Sequence, residues 1–416
     1  MAESSEPSSS LSDFDPPTTD SDPIKEFLKR LDLIHMTPAT FDTFCSTTRH
    51  VLRSLRGHAF EVWFDDLMQL SGYDCKKQGG DDVADRILNG HSLQLKTPYW
   101  TETEEGKQVA FRMHKTHGRE KYPEALYRPS EFADYLVGMH PDRAKGVVIC
   151  PADELQTRAK VNPNLPWSEY ISDPVPFEWD TPWLNRWDLL GVENSKLVQP
   201  QTESSKVLPK TSKETGFSDI EVIRAIVSKE NFRVWQQLIV GSVREYHFEE
   251  YVKTQGISLE KPVSSDMRGK RAGARRVKID YVYVGSGGRV RIQVKGLTRG
   301  MCDGNTLGVE TQGSHSRKPT RFYLRTDFEV LAVVIDPGMI PPETAKKLGV
   351  NHEDYNFLFK KMSDLELHEQ WKEWGGPYIK PRLYFDVSKE RLDNIKLLTT
   401  YSPDGSSSLD DNQSTP

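Results

Sequence analysis

Cysteine is scarce. The 416-residue chain has four, Cys45, Cys75, Cys150 and Cys302, far apart and without a CxxC spacing, which argues against a disulfide framework or a structural zinc site and fits a reducing compartment. Long apolar runs are missing as well. None approaches the roughly 20 residues of a membrane-spanning helix, so no membrane partner is expected. The opening MAESSEPSSSLSDFDPPTTDSD is polar, acidic and rich in Pro and Ser, and lacks the basic and apolar regions of a secretion signal. The expectation is a cytoplasmic protein with a disordered N-terminus over 1–23 and a disordered acidic tail over 401–416.

A large excess of one charge is also absent, since the net charge is −6. That figure hides an asymmetry. Residues 215–400 hold 30 Lys/Arg against 24 Asp/Glu, net +6, whereas residues 1–214 hold 25 against 34, net −9. Only the second half is suited to meeting an anion. Its densest segment, RGKRAGARRVK over 268–278, has six basic residues of eleven: Arg268, Lys270, Arg271, Arg275, Arg276 and Lys278. Such a run is an ordinary solvated loop unless something beside it needs phosphate.

What is present is a duplication. The polar stretch 199–216 reads as a linker between a domain over 24–198 and another over 217–400. RSLRGHAFEVWFDDLMQLSGY before it and GSVREYHFEEYVKTQGI after it share helical apolar spacing, with Glu61 following Phe60 and Glu249 following Phe248. Asp85, a turn and Gln94-Leu-Lys96 then parallel Asp280, a turn and Gln293-Val-Lys295. Residues 127–139 align without a gap on 323–335 as buried strands entered from an aromatic and basic segment. The period is far too long for a solenoid. The order helix, hairpin, variable segment, strand predicts two α/β domains, each a mixed central sheet flanked by helices.

The second hairpin, IDYVYVGSGGRVRIQVKG over 279–296, carries the chemistry. Period two puts Gln293 and Lys295 on one face of a strand and Val294 on the other, and the Gly285-Ser-Gly-Gly288 turn folds Asp280 back beside them. Two oxygen ligands and one ammonium at a single point suit Mg²⁺, with Asp280 and the Gln293 amide oxygen as ligands. Lys295 then orients or deprotonates a water and neutralises charge on a phosphate, with Glu249 in support from the helix. The parallel set is Asp85, Gln94, Lys96 and Glu61.

Both halves resemble the PD-(D/E)XK nuclease superfamily, the fold of many restriction endonucleases. The variant is the one in which Gln replaces the second acidic ligand, and Gly79-Gly-Asp-Asp-Val-Ala-Asp85 followed by Gln94-Leu-Lys96 is most similar to its Mrr-like branch. The resemblance implies two restriction-endonuclease-like domains and Mg²⁺-dependent phosphodiester hydrolysis of double-stranded DNA. It implies Asp85, Gln94, Asp280 and Gln293 as metal ligands, and Lys96, Lys295, Glu61 and Glu249 as catalytic groups. The proline usual before the aspartate is Ala84 or Ile279 here, and Asp81 and Asp82 stand as alternative ligands to Asp85. The basic loop 268–278 then has a purpose, because it leads into the strand bearing Asp280 and so meets DNA phosphate.

His114 and His117, three residues apart with no third ligand nearby, read as loop or DNA-facing residues rather than metal ligands. The tryptophans at 167, 179, 183 and 187 read as packing. Two rival functions fit the same residues: a non-catalytic nucleic-acid-binding or interaction subunit of a defence, recombination or restriction complex on a degenerate nuclease fold, and a nuclease for RNA or branched DNA.

Overall fold

A computed structural model describes residues 22–78, 84–103, 106–113, 126–162, 164, 167–200, 204–228, 235–263, 279–285, 288–311, 323–368 and 378–401. The described residues group into two units, 22–31 with 36–228, and 32–35 with 235–401.

The first unit contains helices α1 (Pro23–Leu33, its residues up to Leu31), α2 (Pro38–Thr47) and α3 (Arg49–Leu70), the short α4 (Arg158–Val161), and α5 (Pro209–Thr215) and α6 (Asp219–Val227). Its main sheet runs β1 (Cys75–Lys77), β2 (Arg86–Leu88), β3 (His91–Lys96), β6 (Tyr135–Met139), β7 (Val147–Pro151). All neighbours are antiparallel except the parallel pair β3 and β6. A smaller sheet joins β4 (Tyr99–Thr103), β5 (Gly106–Phe111) and β8 (Val175–Glu178).

The second unit repeats that main sheet. After α7 (Gly241–Thr254), β9 (Leu259–Glu260), β10 (Tyr281–Gly285), β11 (Gly288–Gly296), β13 (Val330–Ile335) and β14 (Asn356–Lys361) follow in the same spatial order. Again the sole parallel pair is the third with the fourth, β11 with β13. A two-stranded ladder of β12 (Thr306–Glu310) and β15 (Arg382–Asp386) stands beside it. The hairpin turn closes on Gly285 opposite Gly288, whose φ of 108° suits glycine. β13 reads VLAVVI because it is buried on both faces. Val330, Ala332 and Val334 pack with Phe248 and Val252 of α7, while Leu331, Val333 and Ile335 pack with Phe328, Leu307 and Val309.

Two expectations need correction. The stretch 199–216 is not the boundary, because α5 and α6 belong to the first unit. Buried Asp42 accepts from the Lys210 and Thr211 N–H groups at 3.0 and 2.7 Å. Arg143 pairs with Glu221 at 2.8 Å and Arg224 with Asp66, and Arg30 donates to the Ile226 and Val227 carbonyls at 2.9 and 3.1 Å. A polar composition marks a linker only when its polar groups face water; here a capping box at Ser218 and Glu221 starts a helix that buries Val222, Ile223 and Ile226. The gapless strand alignment also slips. Tyr127 and Phe132 stack edge-on as Tyr323 and Phe328 do, but Gln94 lies opposite Leu136 and Gln293 opposite Leu331. The spacing therefore falls from 196 between the phenylalanines to 195 between the strands, one residue being lost in the irregular link between them.

Among the described residues no helix is long and apolar enough to cross a membrane.

Candidate functional site

The two sites form where the second strand of each sheet parts from the third. In a continuing antiparallel ladder a carbonyl of β2 would meet the Leu95 N–H; Asp85 meets it instead with its side chain, Oδ2 accepting at 2.7 Å, while its own N–H donates to the Leu93 carbonyl at 2.8 Å. The same oxygen accepts from Gln94 Nε2. In the second unit Asp280 Oδ2 accepts from the Val294 N–H at 2.8 Å and from Gln293 Nε2, and the Asp280 N–H donates to the Ile292 carbonyl at 3.2 Å. Three hydrogen bonds recur with the same atoms. Lys96 and Lys295 follow two residues after the glutamines on the same face.

Gly138 lies opposite Lys96. A Cβ there would collide with the far end of the Phe111 ring, so the glycine makes room for it.

The helix carboxylate requires another correction. Glu61 interacts with Arg86, the residue after Asp85, and with Lys96. In the second unit the carboxylate that interacts with Lys295 is Glu245; Glu249 lies farther along the helix, bonded to Tyr281 and paired with Lys261 at 3.0 Å. The counterpart of Glu249 is Asp65, which accepts from Arg86 at 2.6 and 2.8 Å. A constant spacing of 184 residues relates Glu61 to Glu245, Asp65 to Glu249, Phe64 to Phe248, Gly72 to Gly256 and Lys77 to Lys261. Both helices end alike, Gly72 and Gly256 at φ of 80° and 73° and the next N–H returning to Met68 or Val252. The expected spacing of 188 aligned Phe60 with Phe248, one turn out of place.

Burial shapes the charges. It lowers the pKa of Lys96 against the opposing pull of Asp85 and Glu61, and that of Lys295 against Asp280 and Glu245. It raises that of Asp85, with Glu61 adding to the rise and Lys96 and the Leu95 N–H opposing it. Asp85 and Lys96 thus both move toward their neutral forms, which narrows the gap for exchanging a proton between such groups. At Glu61 burial alone would raise the pKa, but His58, Arg86 and Lys77 outweigh it and hold it below the usual range. Among the described residues neither lysine ammonium has a hydrogen bond or an ion pair within 4 Å; Lys295 lies 5.5 Å from the centre of the Tyr323 ring.

Three residue pairs beside the sites escaped sequence reasoning. Tyr127 and Tyr323 each lie near a site aspartate, and burial, then the Asp85 or Asp280 carboxylate, pushes each phenol pKa up. Lys77 and Lys261 flank the helix carboxylates. Arg86 and Tyr281 occupy one position with different chemistry. The signal for the lysines was the 184-residue spacing itself; for Arg86 and Tyr281 there was none.

The Asp, Gln and Glu side chains of each site offer oxygen donors, the kind a hard divalent cation takes. Among the described residues no three His, Cys, Asp or Glu side chains gather as a metal group, so a cation at either site would need the glutamine oxygen as a ligand. Gln293 fits that need: its Oε1 is buried and has no hydrogen-bond partner among the described residues, a state that is costly unless something else satisfies it.

The six basic residues expected to bind DNA, Arg268, Lys270, Arg271, Arg275, Arg276 and Lys278, lie outside the described residues, as do Asp81, Asp82, His114 and His117. Trp187 stacks on Phe64 at 6.2 Å, and Trp179 and Trp183 pack against the first unit's core.

No family model, curated protein or solved structure matches the chain.

Proposed function

We propose that this chain is a Mg²⁺-dependent DNA endonuclease built from two restriction-endonuclease-like units. The observation that carries the reading is the recurrence of one constellation, an aspartate ending one strand, a Gln-x-Lys on the next and a glutamate one helix away, with the same hydrogen bonds around both aspartates. Folding can use such an aspartate without chemistry. It has far less use for a half-buried lysine ammonium that lacks a hydrogen-bonded partner among the described residues.

Asp280, Gln293 and Glu245, with Asp85, Gln94 and Glu61 as their counterparts in the first unit, are the oxygen donors from which a cation site would be built. When bound, the cation supplies positive charge beside a phosphate and an ordered water. The lysine, its pKa lowered by burial, removes a proton from that water or donates to the phosphate oxygen gaining charge. The aspartate keeps the lysine within reach by holding the strand N–H before it.

One observation favours a second reading, a nucleic-acid-binding or interaction subunit without catalysis. Oδ2 of each aspartate is already committed to a backbone N–H and a glutamine amide, which is a complete structural role.

Supercoiled plasmid, branched DNA and RNA are incubated side by side with the chain in Mg²⁺ and in EDTA. Cleavage in Mg²⁺ alone, lost in Lys96→Ala/Lys295→Ala, supports the nuclease and identifies its substrate. Undiminished cutting by that double variant overturns it, and binding without cleavage selects the second reading.

A further inference from the structure

We infer that the second unit alone carries out the cleavage, so that one chain cuts one strand; this rests on the nuclease reading above. The grounds are the residues that follow the two site aspartates. Arg86 and Tyr281 occupy one register position, opposite Leu93 and Ile292. Arg86 is 1% exposed. It donates to Asp65 at 2.6 and 2.8 Å, to Glu61 at 3.3 Å and to the carbonyl of Asp85 at 2.8 Å. A guanidinium does not give up its proton in a protein. The first unit therefore holds a permanent positive charge, shielded from water, between its site aspartate and its site glutamate.

Lys77 at 4.0 Å and His58 at 3.4 Å approach the same Glu61 carboxylate. Much of the charge that a divalent ion would neutralise there is already neutralised by side chains. An arriving dication would have to displace them from Glu61 and sit against Arg86 with little water to screen the repulsion.

The second unit differs at the positions of Arg86 and Lys77. Tyr281 is a neutral phenol whose hydroxyl is bonded to Glu249. Lys261, the counterpart of Lys77, turns to Glu249 and lies over the Tyr281 ring at 3.8 Å. Its side chain is 68% exposed, so solvent screens its charge. Gln293 is 2% exposed and its Oε1 has no partner among the described residues. Among the described residues, one unit has a cation built in beside its site and the other has a buried oxygen without a partner.

The full-length chain is tested in two ways: Mn²⁺ bound per chain, counted by electron paramagnetic resonance without DNA, and the products from supercoiled plasmid in Mg²⁺ with plasmid in excess over chain. One tight ion per chain, lost in Asp280→Asn, and open circles that accumulate before any linear DNA are expected. Tyr281→Arg should weaken the ion at least tenfold, and Arg86→Tyr should add a second. Gln293→Met, which keeps the side chain's length, replaces Asp280→Asn should circular dichroism show that variant unfolded, with the same loss expected. Two ions of equal affinity in the wild type, or linear DNA formed directly, overturn the inference and leave the nuclease reading standing. An ion retained in the folded Asp280 or Gln293 variant assigns it to the first unit and also overturns the inference. Failure of the nuclease reading looks different: no cleavage of any substrate by the wild type, however many ions it binds.

Discussion

Glu61 and Glu245 lie 184 residues apart and occupy one position in two copies of a helix. Each acts on the lysine of its own site, and each helix closes on a glycine eleven residues later, Gly72 or Gly256. Glu249, one turn on, belongs to Tyr281 and Lys261.

Glu245→Gln is therefore expected to lower plasmid cleavage by about 10²-fold, the scale of losing one charged group aimed at a reaction centre, and Glu249→Gln by less than about tenfold. Glu245 favours the charged form of Lys295, so its removal lowers that lysine's pKa further. With lysine as the base, the rising limb of the rate profile then moves to lower pH. A limb that stays in place or moves up would show that Lys295 is not the base.

The first unit should need α5 and α6. Ending it at residue 198 strips Asp42, Arg30, Arg143 and Asp66 of the partners given above, and leaving a buried charge unpaired costs about 3 kcal/mol. A fragment of residues 22–228 is expected to unfold at clearly higher urea than one of residues 22–198. Equal midpoints would return the boundary to 199–216.

Gly138→Ala should destabilise the first unit by about 1–3 kcal/mol, the usual penalty of overpacking a core, since Phe111 occupies the space its methyl needs. Joint replacement with Phe111→Leu should recover part of the loss. Additive losses in the double variant would mean that the two do not meet.

His247 Nε2 donates to the Ile34 carbonyl at 3.0 Å, and the ring stacks on Tyr355 at 4.1 Å. Burial lowers its pKa below the ordinary 6.5, the Ile34 carbonyl and the charges of Asp336 and Glu250 opposing. The unfolded chain thus binds the proton more readily than the folded one. This contribution is fully present above pH 6.5 and is lost as pH falls below it, with a slope of at most about 1.4 kcal/mol per pH unit. Urea midpoints at pH 7.5 and 5.5 should differ more for the wild type than for His247→Gln; the same difference in both would remove His247 from the account.

Much of this was legible in the residues. VLAVVI marked the central strand, the glycines of 285–288 marked a hairpin, and the two Asp, turn, Gln-x-Lys hairpins marked the place where both sheets open. The helix register was not legible for a geometric reason. Spacings of 184 and 188 differ by four residues, close to one 3.6-residue turn, so either superposes the apolar faces. Arg86 and Tyr281 share no chemistry, and no pattern could pair them before the strands were in register. The α5 segment was misread because PKTSKET is polar in composition, although its first two backbone N–H groups are held by Asp42.

Asp85 and Asp280 each close a gap in a backbone ladder as well as lining a site. Selection for folding would therefore preserve them in a descendant that had lost all chemistry, and their presence in a related chain would be poor testimony about activity. Among the described residues Lys295 has no such second employment. A lineage that stopped cutting would be free to exchange it, so a lost lysine would testify to lost cleavage where a kept aspartate testifies to nothing.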